Sequence, residues 1–264
     1  DVANLITGPA GSTISLEVRR GNQNAKVNLS RQSIRITNIS EVKMVDTQQK
    51  IGLIRLEKFG EGSVQELDQA LWNLHRQGMK SLVFDLRGNP GGLLTEAISV
   101  SNRFVPSGQI VSTRGRNQSD NSVESATREQ TWKIPLVVIV DGDSASASEI
   151  FAAAIQENQR GLIVGRKTYG KGTVQTHFPL QSVSGTFWLT TAKFYSPTGR
   201  EMAGAGVNPD VPVEMSEREL EEIDALDRDL EAGVKVILSQ KPGELVNNLP
   251  LRQQGNPQRY QFSG

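Results

Sequence analysis

The chain of 264 residues contains no cysteine, which excludes disulfide bonds, thiolate metal sites and a cysteine nucleophile. It has only two histidines, His75 and His177, too few for a multi-histidine metal site. Basic and acidic residues both number 29, so the net charge of zero gives no electrostatic reason to expect a nucleic-acid or membrane-surface partner. No apolar run approaches the ~20 residues that span a bilayer. These counts exclude several kinds of site without yet indicating a function.

The first 33 residues predict a small unit made of a helix end and a hairpin. Residues 1–6 read as the end of a helix that stops at Gly8-Pro9. Residues 13–18 and 27–29 alternate as strands around a turn at Gly21-Asn22. Because the chain begins inside a predicted helix, with no Met and no signal segment, we expect a fragment or a processed form.

Residues 34–238 predict an α/β core. Strand and helix patterns alternate along this region, which favours parallel pairing of the strands. An amphipathic helix is predicted from residue 63 to residue 78, because apolar residues recur there at steps of three and four. The apolar run at 136–140 is typical of a strand buried on both faces. Further strands are predicted at 51–56, 81–86 and 162–164, and helical patterns follow Gly92 and span 146–156.

The remaining segments carry weaker signals. The polar, Ser/Asn-rich stretch at 115–129 is expected to form a mobile surface loop. Residues 186–195 indicate a β-ribbon, and residues 216–238 indicate an acidic helical segment. Residues 239–264 form a loop-rich tail that indicates no function.

The first candidate for chemistry is Ser146, in the segment D-G-D-S-A-S-A-S-E-I at 141–150. A buried strand turns here into a helix that begins with Ala and Ser, whose small side chains allow close approach of a substrate backbone. Free N–H groups at a helix start can stabilise a developing oxyanion. An alternative interpretation stays open, since Ser146 followed by Glu149 also matches a capping box.

The second candidate is Lys171, in G-R-K-T-Y-G-K-G-T-V-Q at 165–175. Residues 165–171 fit most of a phosphate-binding loop, G-x-x-x-x-G-K-[ST]. However, Gly172 replaces the hydroxyl residue that binds magnesium, and the β-branched alternation of 173–178 predicts a strand where a phosphate loop opens a helix. A solvated lysine in a turn is the other alternative.

A serine nucleophile needs a base, and a lysine whose pKa is lowered by burial can serve as one. Lys171 lies between two glycines after a buried strand, so we expect it to be buried. Gln175, four residues later, is placed to hold the amine through its side-chain oxygen. Nothing around His177 forms a local triad signature, and the G-x-S-x-G elbow is absent. His75, at the end of a predicted helix, is expected to be a surface or capping residue.

A third segment, D-L-R-G-N-P-G-G at 85–92, places a glycine pair after a strand, where backbone N–H groups can form an anion-binding concavity. Together with S-A-S-A-S-E-I at 144–150 and G-K-G-T-V-Q at 170–175, it strongly resembles the carboxyl-terminal processing (tail-specific) protease family of serine peptidases. The strings F-Y-S-P-T-G-R at 194–200 and G-V-N-P-D at 206–210 extend the resemblance. Five motifs in the same order are very hard to reach by chance.

The resemblance implies roles for individual residues. By it, Ser146 is the nucleophile, Lys171 is the general base and Gln175 assists the lysine. It implies an oxyanion hole made by the backbone N–H groups of Ala147 and of one glycine of the pair, for which we favour Gly92 over Gly91. Two neighbours of the nucleophile, Ser144 and Ser148, are expected to be helix-start and packing residues.

The family's fold is an α/β core related to the crotonase-like proteases with a PDZ domain beside it. The resemblance therefore implies that residues 1–33 are the C-terminal part of a PDZ domain and that residues 34–238 are the catalytic core. It implies a serine endopeptidase, acting near the C-termini of protein substrates through an acyl-enzyme, that needs no metal or other cofactor. It also implies an extracytoplasmic location, in the periplasm, a thylakoid lumen or the cell envelope. A non-catalytic peptide-binding module and a phosphate-binding enzyme remain as alternatives.

Overall fold

The computed structural model describes residues 5–21, 23–32, 37–127, 131–180, 185–214 and 227–239. Its contacts divide the chain into two compact units, residues 1–37 and residues 38–264. Of the predicted helical segment at 216–238, the structure describes residues 227–238, and it confirms a helix from Arg228 onward. The predicted tail, apart from residue 239, lies outside the described residues.

The first unit contains an antiparallel hairpin of β1 (Thr13–Arg20) and β2 (Gln23–Ser30), which confirms both predicted strands. The strands are in register, so their apolar side chains share one face of the hairpin. All of these side chains are exposed or only half-buried. The hairpin therefore has no core of its own, and the residues of this apolar face are Ile14, Leu16, Val18, Ala25, Val27 and Leu29.

The second unit is built on a six-stranded sheet. All neighbouring strands pair in parallel except the antiparallel pair at one edge, β3 (Ile39–Asp46) with β4 (Ile51–Leu56), which confirms the predicted parallel core. Each residue of the central strand β8 (Leu136–Val140) is buried, as its continuous apolar sequence predicts. In spatial order the strands are β12 (Val211–Pro212), β9 (Leu162–Gly165), β8 (Leu136–Val140), β5 (Ser81–Asp85), β4 (Ile51–Leu56) and β3 (Ile39–Asp46).

Helices cover both faces of this sheet. One face packs against α1 (Ser63–Arg76), α2 (Leu94–Ser101) and α3 (Ala147–Glu157), with a cluster of phenylalanine rings between them. The other face packs against α4 (Arg228–Ser239), whose Val236 and Ile237 join the apolar residues of the central strands. The sheet is therefore buried on both sides, which explains why its strands are so uniformly apolar.

A second, four-stranded sheet has the antiparallel order β10 (Thr173–Pro179), β11 (Thr186–Tyr195), β6 (Gln109–Gly115) and β7 (Ser122–Ser125). Strand β7 lies in the stretch that we expected to be a mobile loop, and that prediction is wrong. Polar side chains around this strand bind neighbouring backbone: Oδ1 of Asn121, just before β7, accepts the N–H of Gly115, and Oγ1 of Thr113, in β6, accepts the N–H of Ser122. Strand β7 lies at the edge of this sheet, where even its apolar Val123 is 65% exposed. A largely polar sequence is therefore compatible with a strand at this position.

The topology of the six-stranded sheet brings the candidate residues together. Strands β5, β8 and β9 are parallel neighbours, so their C-terminal ends lie at the same edge. The three segments that leave this edge are residues 86–92, residues 141–146 and residues 166–172. They are the motifs that sequence analysis singled out, and ligands of open α/β sheets bind at such an edge.

Candidate active site

Ser146 occupies a strained turn between β8 and α3. Its φ of 57° and ψ of −112° lie outside the regions that non-glycine residues ordinarily adopt. The turn is held by Asp141, whose Oδ1 accepts the N–H groups of Asp143 and Ser144. Ser144 in turn donates its hydroxyl to the carbonyl of Leu86, 2.8 Å away. The surrounding bonds therefore over-determine the turn and present Ser146 at the first turn of α3.

The double-glycine loop lies directly against this turn. A Cβ on Gly91 would be 2.8 Å from the Cβ of Ser146 and 2.9 Å from the nitrogen of Ala147, so only glycine allows this approach. Asn89, fully buried, ties the two segments together because its carbonyl accepts both the N–H of Ala145 and the hydroxyl of Ser148. The loop and the serine turn thus form one packed unit. The buried, hydrogen-bonded Ser144 and Ser148 confirm the packing roles predicted for them.

Glu149 connects the serine turn to the lysine loop. Its carboxylate is completely buried, and one oxygen, Oε2, accepts the backbone N–H of Ser146 and the backbone N–H of Lys171, both at 2.8 Å. The other oxygen, Oε1, accepts the Thr168 hydroxyl at 2.5 Å and the Gly170 N–H at 2.7 Å. The backbone nitrogens of Ser146 and Lys171 are therefore separated by no more than the sum of two 2.8 Å bonds.

The backbone N–H groups of Ala147, which directly follows Ser146, and of Gly92 make no hydrogen bond to any described residue. Gly91, by contrast, donates its N–H to Oδ1 of Asn89 at 2.9 Å. The residues on either side of Gly92 are held by Phe59, whose N–H donates to the carbonyl of Gly91 and whose carbonyl accepts the N–H of Leu93, both at 2.8 Å. The family resemblance implied Ala147 as one oxyanion donor and favoured Gly92 over Gly91 as the other, and this assignment stays a prediction.

Lys171 and Gln175 differ from expectation in one respect. Both side chains are exposed, so the prediction that Lys171 is buried is wrong. Within the described residues, no hydrogen bond joins the two side chains. The glycines on either side of Lys171 pack against Gly204 and Ala203, whereas the lysine itself is exposed. Gln175 lies just past a β-bulge in β10.

The structure also shows where the alternative candidates lie: the phosphate-binding loop, the two histidines and the capping box. The loop that ends at Lys171 continues into strand β10 and opens no helix, so it lacks the helix start of a phosphate-binding loop. His75 lies exposed in the last turn of α1, where its ring contacts Trp72 and Trp132. His177 lies in β10 opposite Trp188. The carboxylate half of the capping box is present, since Glu149 accepts the N–H of Ser146.

An ion network lies at the start of the double-glycine loop. Arg87 donates to both carboxylate oxygens of Asp85 and forms a two-pronged contact with Asp227, at 2.6 and 2.9 Å. Desolvation opposes its charge, but the hydrogen bonds from Arg87 to Asp85 and Asp227 outweigh it and raise the pKa of the Arg87 guanidinium. Arg87 is therefore charged at every ordinary pH.

The described ranges contain neither a cluster of metal-binding side chains nor a helix that could cross a membrane. No group of three or more His, Asp or Glu side chains there is placed to hold a metal ion. No helix in those ranges has both the length and the apolar character that crossing a membrane requires.

Sequence reasoning missed the residues that join the three segments. Glu149 was noted only as a capping partner, and Asn89 and Thr168 received no role. Their contacts reach across up to 59 residues of chain, so no local pattern signals them. The one available signal was the spacing from Ser146 to Glu149, which is ambiguous by itself.

The model of peptidase family S41 matches residues 50–213. A carboxy-terminal-processing protease of Bartonella bacilliformis is 38% identical over 221 residues, which is 81% of this chain and 50% of that protein. The carboxy-terminal processing protease of Bacillus subtilis is 36% identical over 213 residues, or 80% of this chain and 45% of that protein. A solved photosystem II D1 C-terminal processing protease aligns with a TM-score of 0.61 at 29% identity, covering 89% of this chain and 62% of that one.

These matches confirm the predicted family resemblance and the mixed α/β fold with several sheets. The chain spans about half the length of the curated relatives it matches. All five residues predicted to act in catalysis lie within the matched range.

Proposed function

This chain belongs to peptidase family S41, and from that premise we propose that it is the catalytic core of a serine endopeptidase that cleaves proteins near their C-termini. Ser146 attacks the scissile carbonyl, and Lys171 accepts the hydroxyl proton and later donates a proton to the leaving amine. Gln175 orients the lysine amine. An acyl-enzyme forms on Ser146 and is then hydrolysed by water. No step requires a metal or another cofactor.

The observation that carries this proposal is the shared contact with Glu149. One buried carboxylate oxygen accepts the backbone N–H groups of both Ser146 and Lys171. A nucleophile and its base must be held in a fixed relative position, and their backbones are held here by a single atom. Ser146 and Lys171 are distant in sequence, and this shared contact with Glu149 holds their backbones close together in the fold.

The open N–H groups of Ala147 and Gly92 support an oxyanion hole next to Ser146. Donors aimed at the developing oxyanion typically contribute about 3–4 kcal/mol each to transition-state stabilisation. The N–H of Gly91 is occupied by Asn89, which favours Gly92 as the second donor.

The exposure of Lys171 indicates what else the reaction needs. A lysine acts as a base near neutral pH when its ammonium form is desolvated. We propose that a bound polypeptide substrate provides this cover, because an extended chain placed over Ser146 also lies over the neighbouring Lys171 loop.

The first unit supports the proposed identity of residues 1–33 as the C-terminal part of a PDZ domain. Its hairpin carries an apolar face that the unit itself leaves exposed or half-buried. A folded domain would cover such a face. The proposed location is extracytoplasmic, and the proposed partners are protein substrates with exposed C-terminal tails; both rest on the family alone.

The test compares the native chain with Ser146→Ala, Lys171→Ala and the control Lys167→Ala, which removes an exposed lysine from the same loop. An unstructured protein is the substrate, mass spectrometry maps the cleavage sites, and a fluorophosphonate reports the reactivity of the serine. We expect cleavage near the C-terminus and labelling at Ser146 for the native and Lys167→Ala chains only. Cleavage that persists in both the Ser146→Ala and the Lys171→Ala variants would rule out the proposed mechanism. A folded native chain that neither cleaves nor reacts would favour the non-catalytic binding module.

A further inference from the structure

One carboxylate of α4 joins the starts of two loops of the candidate site. Asp229 is the second residue of α4, and its side chain is 2% exposed. Its Oδ1 lies 2.9 Å from Nη1 of Arg166, and its Oδ2 lies 3.3 Å from Nη1 of Arg87. Arg87 comes just after β5, at the start of the double-glycine loop, and Arg166 follows directly after β9, at the start of the lysine loop.

Each arginine belongs to a segment bonded to the serine turn. Next to Arg87, the N–H of Gly88 donates to Asp141 at 3.0 Å. Arg166 donates its own N–H to the carbonyl of Val140, the last residue of β8, at 3.0 Å. A shift of either arginine is therefore passed directly to the backbone beside the serine turn.

The helix has another means of docking. Val236 and Ile237 of α4 are buried against the central strands, so the helix packs on the sheet through its apolar side. Asp227, next to the helix, already forms a two-pronged contact with Arg87. Neither of these contacts reaches the lysine loop. Asp229 is distinguished by touching both arginines from a position closed to water.

We propose that Asp229 is a positioning residue that fixes the double-glycine loop and the lysine loop relative to each other. In this way α4, a helix outside the candidate site, sets the geometry in which Ser146, Lys171 and the oxyanion donors meet. The significance for catalysis rests on the proposed function, whereas the mechanical role can be measured without it.

The experiment compares Asp229→Asn with Glu231→Gln, which removes a carboxylate from the same helical turn and has no place between the loops. Hydrogen exchange followed by mass spectrometry reports opening of residues 86–92 and 166–172. We expect faster exchange in both loops for Asp229→Asn and native exchange for Glu231→Gln. Labelling of Ser146 by a fluorophosphonate is expected to slow by about 10- to 100-fold in Asp229→Asn, because small displacements of reacting groups have effects of that size.

A second pair of variants tests whether the two loops are coupled through this carboxylate. Arg166→Met removes the guanidinium, whose Nη1 contacts both carboxylate oxygens of Asp229, and it serves if Asp229→Asn loses its cooperative thermal transition. The variant that combines Asp229→Asn with the substitution of Arg166 should label no more slowly than the slower of the two single variants, since both changes break the same contact between Asp229 and Arg166.

Three results would overturn the proposal: unchanged exchange in the two loops, faster exchange confined to α4, or additive effects in the double variant. If the native chain itself fails to label, the proposed function fails, and the exchange data alone then decide the positioning role.

Discussion

Replacing Glu149 by glutamine is the sharpest test of how this site is assembled. The carboxylate accepts four hydrogen bonds, from the backbone N–H groups of Ser146, Gly170 and Lys171 and from the hydroxyl of Thr168. Glutamine has nearly the same shape, but only one of its two terminal atoms is an acceptor. An amide NH₂ must therefore face either the Ser146 and Lys171 pair or the Gly170 and Thr168 pair.

The cost follows from counting these bonds. A hydrogen bond to a charged group typically contributes about 1.5–3 kcal/mol, so losing two lowers the free energy of unfolding by about 3–6 kcal/mol. The hydroxyl of Thr168 can rotate to accept a proton from the new NH₂, which favours the orientation that keeps Ser146 and Lys171 bonded. We therefore expect a loss near 3 kcal/mol, a large part of the stability of an ordinary domain.

The catalytic effect should exceed the loss of folded protein. The bonds to Ser146 and Lys171 weaken when the charge is removed, and a displacement of about 1 Å between reacting groups can lower the rate about 100-fold. Fluorophosphonate labelling, measured well below the thermal midpoint of Glu149→Gln, separates the two effects. The control is Glu201→Gln, which removes a carboxylate from an exposed pair with Lys193 and should leave the stability close to that of the native chain, because solvent screens such a pair. A folded Glu149→Gln chain that labels at the native rate would refute the argument.

Two further substitutions test the packing around the site. Gly91→Ala should lower the labelling rate of Ser146 more than 100-fold, because the added Cβ would lie 2.8 Å from the serine Cβ. The control is Gly88→Ala, which should keep the native rate: Gly88 also has a positive φ, but an added Cβ there meets no atom within 4 Å. Equal losses in both variants would indicate that backbone strain alone is responsible. Phe151→Ala should lower the free energy of unfolding in urea by about 3–5 kcal/mol, because the ring is fully buried among three other phenylalanine rings, and a loss under 1 kcal/mol would contradict the packing described.

The sequence was sufficient to predict the parallel core because its strands carry the signal themselves. Strand β8 is apolar at every position, and helix α1 has apolar residues at regular three- and four-residue steps. Strand β7 was missed because it is an edge strand held by backbone and polar side-chain bonds, and its alternation is too short and too polar to distinguish from a loop. Burial of Lys171 was predicted from its glycine neighbours, but it is the glycines that pack, while the lysine itself is exposed.

The two interpretations of Ser146, nucleophile and helix cap, seemed to compete because the pattern S-x-x-E is the same for both. In the fold they describe one arrangement. Glu149 accepts the N–H of Ser146, as a capping glutamate does, and the same oxygen accepts the N–H of Lys171. A carboxylate that only capped α3 would have no reason to be completely buried, and one that only held the lysine loop would have no reason to lie three residues after the serine. The capping bond therefore belongs to the architecture that we propose for catalysis, and breaking it should affect stability and reactivity together.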